Sequence, residues 1–174
     1  MRRRDPLANP DPLIRRVYAY AAYRLGDGPD AEDVTSDVFE RALRYRLSFD
    51  ESRGTPEQWL IGIARRCVDN ALSVPRTVPT PAEETAATVD LEGDAVRRFT
   101  VAAAVDTLDE REQDLIALRY GADLTARQIA ELLGIKTNAV EVALHRTLLR
   151  LRDALEGSGE IAAAGSEPAA GVSP

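Results

Sequence analysis

The sequence predicts an all-α protein of two small helical domains joined by an extended linker. Three observations carry this. Apolar residues recur at three- and four-residue spacing through residues 12–72 and again through 96–155. Alanine and leucine are plentiful while aromatics make up only 5% of the chain, so propensity leans towards helix rather than strand. Between the periodic stretches the pattern lapses into an acidic, proline-containing segment. A chain of 174 residues is long enough for two small cores.

The first domain, residues 12–72, reads as a three-helix bundle over about 12–25, 30–47 and 55–72, with breaks at "LGDGPD" and "LSFDESRG". Asp30 before "AED" is the start signal of the second helix. The third opens on Thr55, Pro56 and Gln58, which supply an N-cap threonine, a first-turn proline and a glutamine at the capping-box position. On this third helix Trp59, Leu60, Ile63, Ala64, Cys67, Val68, Ala71 and Leu72 form an apolar face. Gly62, Arg65, Arg66, Asp69 and Asn70 fall on the other. Residues 73–95 are the linker.

The second domain, residues 96–156, reads as four helices: about 96–107, 110–121 capped by Asp109 with Glu112, 126–133 capped by Thr125 with Gln128, and 137–155. Residues 157–174, small and rich in glycine and alanine, are expected to be a disordered tail. In "TARQIAELLGIKTNAVEVAL" the last two helices make a helix-turn-helix. Ala130 sits where the helices approach, Gly134 takes the left-handed turn, and Ile129, Leu133, Ile135, Val140 and Leu144 face inward. Burying Val140, Leu144, Leu148, Leu151 and Leu155 leaves Asn138, Glu141, Val142 and His145 on an outward stripe, with Lys136 and Thr137 at the amino end. Asn pairs with adenine, Glu accepts from cytosine, valine meets a thymine methyl, and Lys136 suits a phosphate. Glu141 has an equal structural reading as capping-box partner of Asn138. Arg146, Arg150 and Arg152 suit phosphates or the helix dipole.

Charge and composition narrow the function. The net charge is −7, and no segment is strongly basic: residues 1–72 hold twelve basic and twelve acidic side chains, and residues 99–156 hold seven and ten. Unaided duplex binding draws most of its nonspecific affinity from phosphate neutralisation, so this chain reads as a DNA reader that needs a partner. Cys67 is the only cysteine and His145 the only histidine. With no nucleophile elbow or phosphate-cradling glycine loop either, the expectation is no catalytic residue, no metal, no cofactor and no small-molecule substrate. A lone cysteine and the lack of a long apolar run point to a cytoplasmic protein without membrane attachment.

Taken together the two halves resemble a bacterial RNA polymerase sigma factor of the extracytoplasmic-function type. "DAEDVTSDVFERALRYR" is similar to that family's core-polymerase-binding helix and "WLIGIARRCVDN" to its downstream-promoter helix. The stretch "LDEREQDLIALRYGADLTARQIAELLGIKTNAVEVALHRTLLRLR" is similar to its carboxy-terminal promoter-reading domain. The resemblance implies regions 2-like and 4-like for the two domains, with core RNA polymerase and promoter DNA as partners and an anti-sigma factor as a candidate antagonist. It implies polymerase docking by Asp30, Glu32, Asp33 and Asp37, with Val38 and Phe39 supplying packing. It assigns the melted minus-ten element to Phe49, Arg53, Arg65, Arg66, Asp69 and Asn70, Phe49 serving either as a wall for an unstacked base or as a plug of the loop. It assigns the minus-thirty-five element to Lys136, Thr137, Asn138, Glu141, Val142, His145 and Arg146. The acidic linker would thread polymerase channels.

The chain departs from the family pattern in four places. Only twelve residues precede the first helix, where another helix is usual, so a trimmed first domain or an upstream start is expected. Arg66 stands for the asparagine usual after "IAR". Arg76 alone replaces an arginine run, and Glu141 and Ala143 stand where lysine and arginine are usual. Two other readings remain at this stage. One is a response-regulator effector, which residues 13–72 disfavour by showing no alternating strand pattern. The other is a helical interaction protein that no longer binds DNA, which Glu141 and Ala143 favour.

Overall fold

The computed structural model describes residues 5–74 and 103–164, the last eight by backbone alone. The linker and most of the helix expected at 96–107 lie outside the described residues, as does the chain after 164; residues 103–106 form a helical turn. Every element longer than a turn among the described residues is helical.

Helix α1 (Pro10–Leu25) starts at a proline, whose fixed φ and missing N–H suit a first turn. It buries Leu13, Val17, Tyr20, Ala21 and Arg24 on one face and stops at Gly26 with φ 91°. Helix α2 (Pro29–Tyr45) also opens on proline, with Gly28 before it. Asp30 therefore lies inside the first turn and is not the cap expected of it; it complements the helix dipole instead. A short 3₁₀ turn, Arg46–Ser48, leads into the loop before α3 (Pro56–Ser73). The capping box expected there is formed: the Gln58 amide donates to Thr55 Oγ1 at 3.3 Å and the Thr55 amide to Gln58 Oε1 at 2.9 Å. The buried face of α3 includes Gln58 and Ile61, and Leu72 is exposed.

In the second module α4 (Glu110–Ile116) is capped by Asp109, whose Oδ1 accepts from the Glu112 amide at 2.9 Å. The helix expected to run on to 121 instead widens into a π turn, Ala117–Gly121, closed by the Ala122 amide on the Ala117 carbonyl at 2.9 Å. Helix α5 (Ala126–Leu133) has its Thr125–Gln128 box, and Gly134 follows with φ 68°. That left-handed conformation penalises any residue with a Cβ. Helix α6 (Thr137–Ala164) runs nine residues beyond the expected end at 155. Its sequence contains no proline there to stop it.

Two separate cores were expected, but the buried residues form one. Leu13, Val17, Tyr20, Val38, Leu60, Ile61 and Val68 of the first module are continuous with Leu115, Leu118, Leu124, Ile129, Val140 and Leu144 of the second. The seam lies between α1 and the π turn. A Cβ on Gly121 would stand 2.9 Å from the Ala19 carbonyl oxygen and 3.0 Å from Tyr20 Cα, so the backbones meet here only because Gly121 lacks one.

Candidate nucleic-acid interface

Helix α6 presents the outward stripe expected of it. Its first turn is set by the Lys136 carbonyl, which accepts from the amides of Ala139 at 3.0 Å and Val140 at 3.3 Å. Asn138 is therefore one residue inside the helix, which removes the capping-box reading of Asn138 with Glu141. Lys136, Asn138, Glu141, Val142, His145 and Arg146 are exposed and Thr137 is half-buried. Opposite them Val140, Leu144 and Thr147 are buried, and Thr147 Oγ1 donates to the Ala143 carbonyl at 2.9 Å. Thr147 replaces Leu148 on the inward face: Leu148 is 38% exposed, and Ile135, also expected inside, is 37% exposed. Arg150 donates to Glu112 Oε1 at 2.6 Å, pinning α6 to α4, and Arg152 pairs with Glu156 at 2.7 Å.

On α2 the carboxylates of Asp30, Glu32 and Asp33 are exposed. Asp37 accepts from Arg41 Nε at 2.9 Å, and that hydrogen bond holds its carboxyl below the usual range. Val38 corrects the sequence expectation: it is 0% exposed, locked into the core, and is not available to pack against a partner. Phe39 is half-buried against the same core. The apolar side chains that α2 and its following turn do expose are Leu43, Tyr45 and Leu47, the last 78% accessible. Sequence reasoning passed over them because they trail the acidic stretch.

The residues assigned to a melted strand divide into two groups. Phe49 is 7% exposed and its ring centroid lies 5.6 Å from that of Trp59, tilted by 57°, so it plugs the loop and walls a cleft. That cleft, of about 490 Å³, is lined by Phe49, Arg53, Trp59, Gly62 and Arg66 together with Glu131 and Leu132 of α5. Asp69 and Asn70 are exposed further along α3. Arg65 is not on this surface. It is half-buried and turned towards α4, where its Nη2 and Nε donate to Asp114 Oδ2 at 2.8 and 3.1 Å. Tyr20 donates to the other oxygen, Asp114 Oδ1, at 2.7 Å. Burial, with the Asp114 charge beside it, pushes the Tyr20 phenol far above its ordinary range, so it keeps its proton and donates. Neither Tyr20 nor Asp114 stood out in the sequence, since nothing local marks them.

Among the described residues no three His, Cys, Asp or Glu side chains gather where they could hold a metal ion, and no helix is long and apolar enough to cross a membrane. Burial, then hydrogen bonding with Asp37, raises the Cys67 thiol to about 11.

The chain matches the family profiles of Sigma-70 region 2 over residues 11–73 and of Sigma-70, region 4 over residues 104–153. It is 27% identical over 157 residues to the ECF RNA polymerase sigma factor SigK of Mycobacterium ulcerans (strain Agy99), covering 85% of this chain and 84% of that protein. To the ECF RNA polymerase sigma factor BldN of Streptomyces coelicolor it is 31% identical over 146 residues, covering 78% of this chain and 55% of BldN. Its fold is like that of CnrH in complex with the cytosolic domain of CnrY, with a TM-score of 0.59 at 20% identity over 84% of this chain and 82% of that one. It is equally like the sigma factor RpoE of Bartonella quintana in complex with the anti-sigma factor NepR, with a TM-score of 0.59 at 18% identity over 83% of this chain and 92% of that one. With a region 2 match over its first helical unit and a region 4 match over its helix-turn-helix, the chain belongs to the sigma-70 family as an extracytoplasmic-function sigma factor, a non-catalytic subunit that directs RNA polymerase to promoters.

Proposed function

We propose the following division of labour among the residues of this sigma factor. The α6 stripe reads the minus-thirty-five element in the major groove: Asn138, Glu141, Val142 and His145 meet base edges while Lys136, Thr137 and Arg146 meet phosphates. The observation that carries this is the split of α6 into an exposed polar stripe and a buried face of Val140, Leu144 and Thr147, which leaves one side of the helix with no role in packing. The α3 surface and its loop take the melted minus-ten strand. Arg53 and Arg66 follow its phosphates, Asp69 and Asn70 extend the surface, and the cleft walled by Phe49 receives an unstacked base. Arg65 joins them once its link to Asp114 is released. Melting then needs no catalytic group, because binding energy available only from the opened strand lowers the cost of opening.

The exposed acids Asp30, Glu32 and Asp33, with Asp37, dock the chain on a basic surface of core polymerase. Leu43, Tyr45 and Leu47 supply the apolar contact there in place of Val38. The enzyme in turn supplies the DNA affinity that a chain of net charge −7 lacks. Work at the polymerase places the protein in the cytoplasm, and the same exposed surfaces are what an anti-sigma factor would mask.

The assay is transcription from genomic DNA by core polymerase with and without the purified chain. Asn138→Ala should weaken upstream-element recognition about tenfold, the worth of one bidentate base contact, with polymerase co-elution intact. Unchanged start-site choice in that variant would remove Asn138 as a reader. Replacing Asp33 and Asp37 together by lysine should abolish co-elution, and normal co-elution would refute the docking assignment.

A further inference from the structure

We infer that Gln58 is a base-reading residue of the α3 cleft: it offers a hydrogen-bond donor to a carbonyl oxygen of the captured base and so selects against adenine. This rests on the assignment of that cleft to the melted strand, and it names the side chain that makes the cleft selective.

Gln58 enters the fold as a capping residue, and that role fixes which way its amide faces. The Thr55 backbone N–H donates to Gln58 Oε1 at 2.9 Å. A peptide N–H can only donate, so the oxygen lies on the Thr55 side and the amide nitrogen on the other. Gly54 makes room for this arrangement. A Cβ there would stand 3.1 Å from Gln58 Oε1, and its φ of 155° is one that side chains rarely adopt. The amide cannot flip without breaking the cap of α3, so a group entering the cleft meets Nε2 and its protons.

The partners of Nε2 in the structure show what chemistry it takes. Both lie on α5 and both are oxygens: Glu131 Oε2 at 3.0 Å and the Gln128 backbone carbonyl at 3.4 Å. Gln58 is only 7% exposed, so its donor is satisfied by whichever acceptor the cleft holds rather than by bulk water. A strand that enters the cleft exchanges these oxygens for groups of its own.

Gln58 lines the cleft beside Phe49, Arg53, Trp59 and Arg66. The arginines answer to phosphates and the aromatic rings to base faces, features that every nucleotide has. Ser48 and Asp50 also line it but serve their own turns: Ser48 donates to the Tyr45 carbonyl at 2.7 Å, and Asp50 Oδ1 accepts from the Ser52 amide at 3.0 Å. Discrimination therefore falls to Gln58. Glutamine ordinarily pairs with adenine through both ends of its amide, accepting from N6 and donating to N7. Here Thr55 holds the oxygen, which closes that pairing and sets the adenine amine against another donor. Thymine, cytosine and guanine each carry a carbonyl oxygen; adenine carries none. A buried donor left without its acceptor is costly, and the expected preference is about tenfold.

The test uses holoenzyme assembled from core polymerase and the full chain, binding a fluorescent single strand that carries the downstream element of a promoter found by the transcription assay. Each position in turn is made adenine or hypoxanthine, purines of one shape in which an exocyclic amine is replaced by a carbonyl oxygen. At the captured position the wild type should bind hypoxanthine about tenfold more tightly. Gln58→Glu retains an acceptor for the Thr55 amide, so the cap survives, but it presents oxygen to the cleft in place of Nε2. That variant should co-elute with polymerase and reverse the ranking at the same position. A wild type that separates the two bases at no position overturns the proposal without any variant. So does co-eluting Gln58→Glu that keeps the wild-type ranking, or weakens binding by one factor for both bases, as a purely structural Gln58 would. Phe49→Ala and Arg66→Ala tell the two levels apart. If they weaken strand binding while Gln58→Glu leaves the ranking alone, only the role of Gln58 fails; if they bind every strand as the wild type does, the assignment of the cleft fails and this inference with it.

Discussion

The ion pair between Arg65 and Asp114 joins residues 49 apart in sequence and should be measurable as a coupling energy. Two nitrogens converge on one oxygen at 2.8 and 3.1 Å, and the two side chains are 31% and 15% exposed. The pair is too sheltered to behave as a surface bridge, usually worth 0–1 kcal/mol, and too open for a fully buried one, whose breaking costs about 3–5 kcal/mol. Discounted for solvent on the arginine side, a coupling of about 1–2 kcal/mol is expected. The measurement is a double-mutant cycle of Arg65→Gln and Asp114→Asn by urea unfolding, followed through Trp59, the only tryptophan. With a urea slope of about 1–3 kcal/mol per molar, the coupling should appear as a midpoint displacement of roughly 0.3–2 M beyond additivity. Arg44 with Glu40 is the internal control. Those side chains are 62% and 69% exposed, and their coupling should be about 0.3–0.5 kcal/mol and vanish in high salt. If the Arg65–Asp114 cycle is additive within about 0.3 kcal/mol, or loses its coupling to salt as the control does, the two modules do not meet in solution as described.

Other consequences are simpler to read. Val38→Ala should lower stability by about 1–3 kcal/mol through the cavity it leaves, while the folded variant still binds polymerase at saturation; loss of binding without loss of stability would return Val38 to the docking surface. Gly134→Ala should cost about 1 kcal/mol in urea melts because φ is 68° there, and an unchanged midpoint would show that the turn has another conformation. The Cys67 thiol, raised to about 11 from 9.0, should react with iodoacetamide at pH 8 about a hundredfold more slowly in the folded chain than in urea, and equal rates would place it outside the core. Asp37, whose carboxyl is lowered in the fold, contributes stability that is present above the unfolded value of 3.8 and lost as pH falls through the folded one. Asp37→Asn should therefore flatten the acid limb of the stability curve, and an unaltered limb would exclude the pairing with Arg41.

What was legible in the sequence was what short-range chemistry decides. The boxes at Thr55–Gln58, Asp109–Glu112 and Thr125–Gln128, and the left-handed Gly134, depend on residues three or four apart, and all are formed. The failures share a different cause. Arg65 looks like a solvent-facing cation on α3 because its partner lies in another module, beyond the linker. Tyr20 and Gly121 look ordinary for the same reason. Val38 lies within a stretch that resembles a docking helix, but the side that packs inward is fixed by where α1 and α3 sit. Thr147 escaped notice because its hydroxyl, a poor fit for a core by composition, satisfies itself on the Ala143 carbonyl one turn back and so is buried without penalty.

These long-range pairings also change how the acidity of the chain should be understood. A net charge of −7 by itself predicts only weak attraction to DNA. The arrangement of that charge matters more. Arg65, Arg127, Arg150 and Arg152, half or more of the cations that α3, α5 and α6 place near the reading surfaces, already face carboxylates of the same chain. A phosphate must displace an internal partner to use any of them, so each gains less from DNA than an exposed cation would. Lys136, Arg53, Arg66 and Arg146 are left as exposed cations on the proposed surfaces, and a handful of phosphate contacts gives a shallow salt dependence and a weak complex. Base recognition by α6 can then be selective without being tight. That combination suits a subunit whose position on DNA is secured by a larger enzyme, and the acids that hold these arginines, Asp114, Glu131, Glu112 and Glu156, are distinct from those proposed to dock the chain.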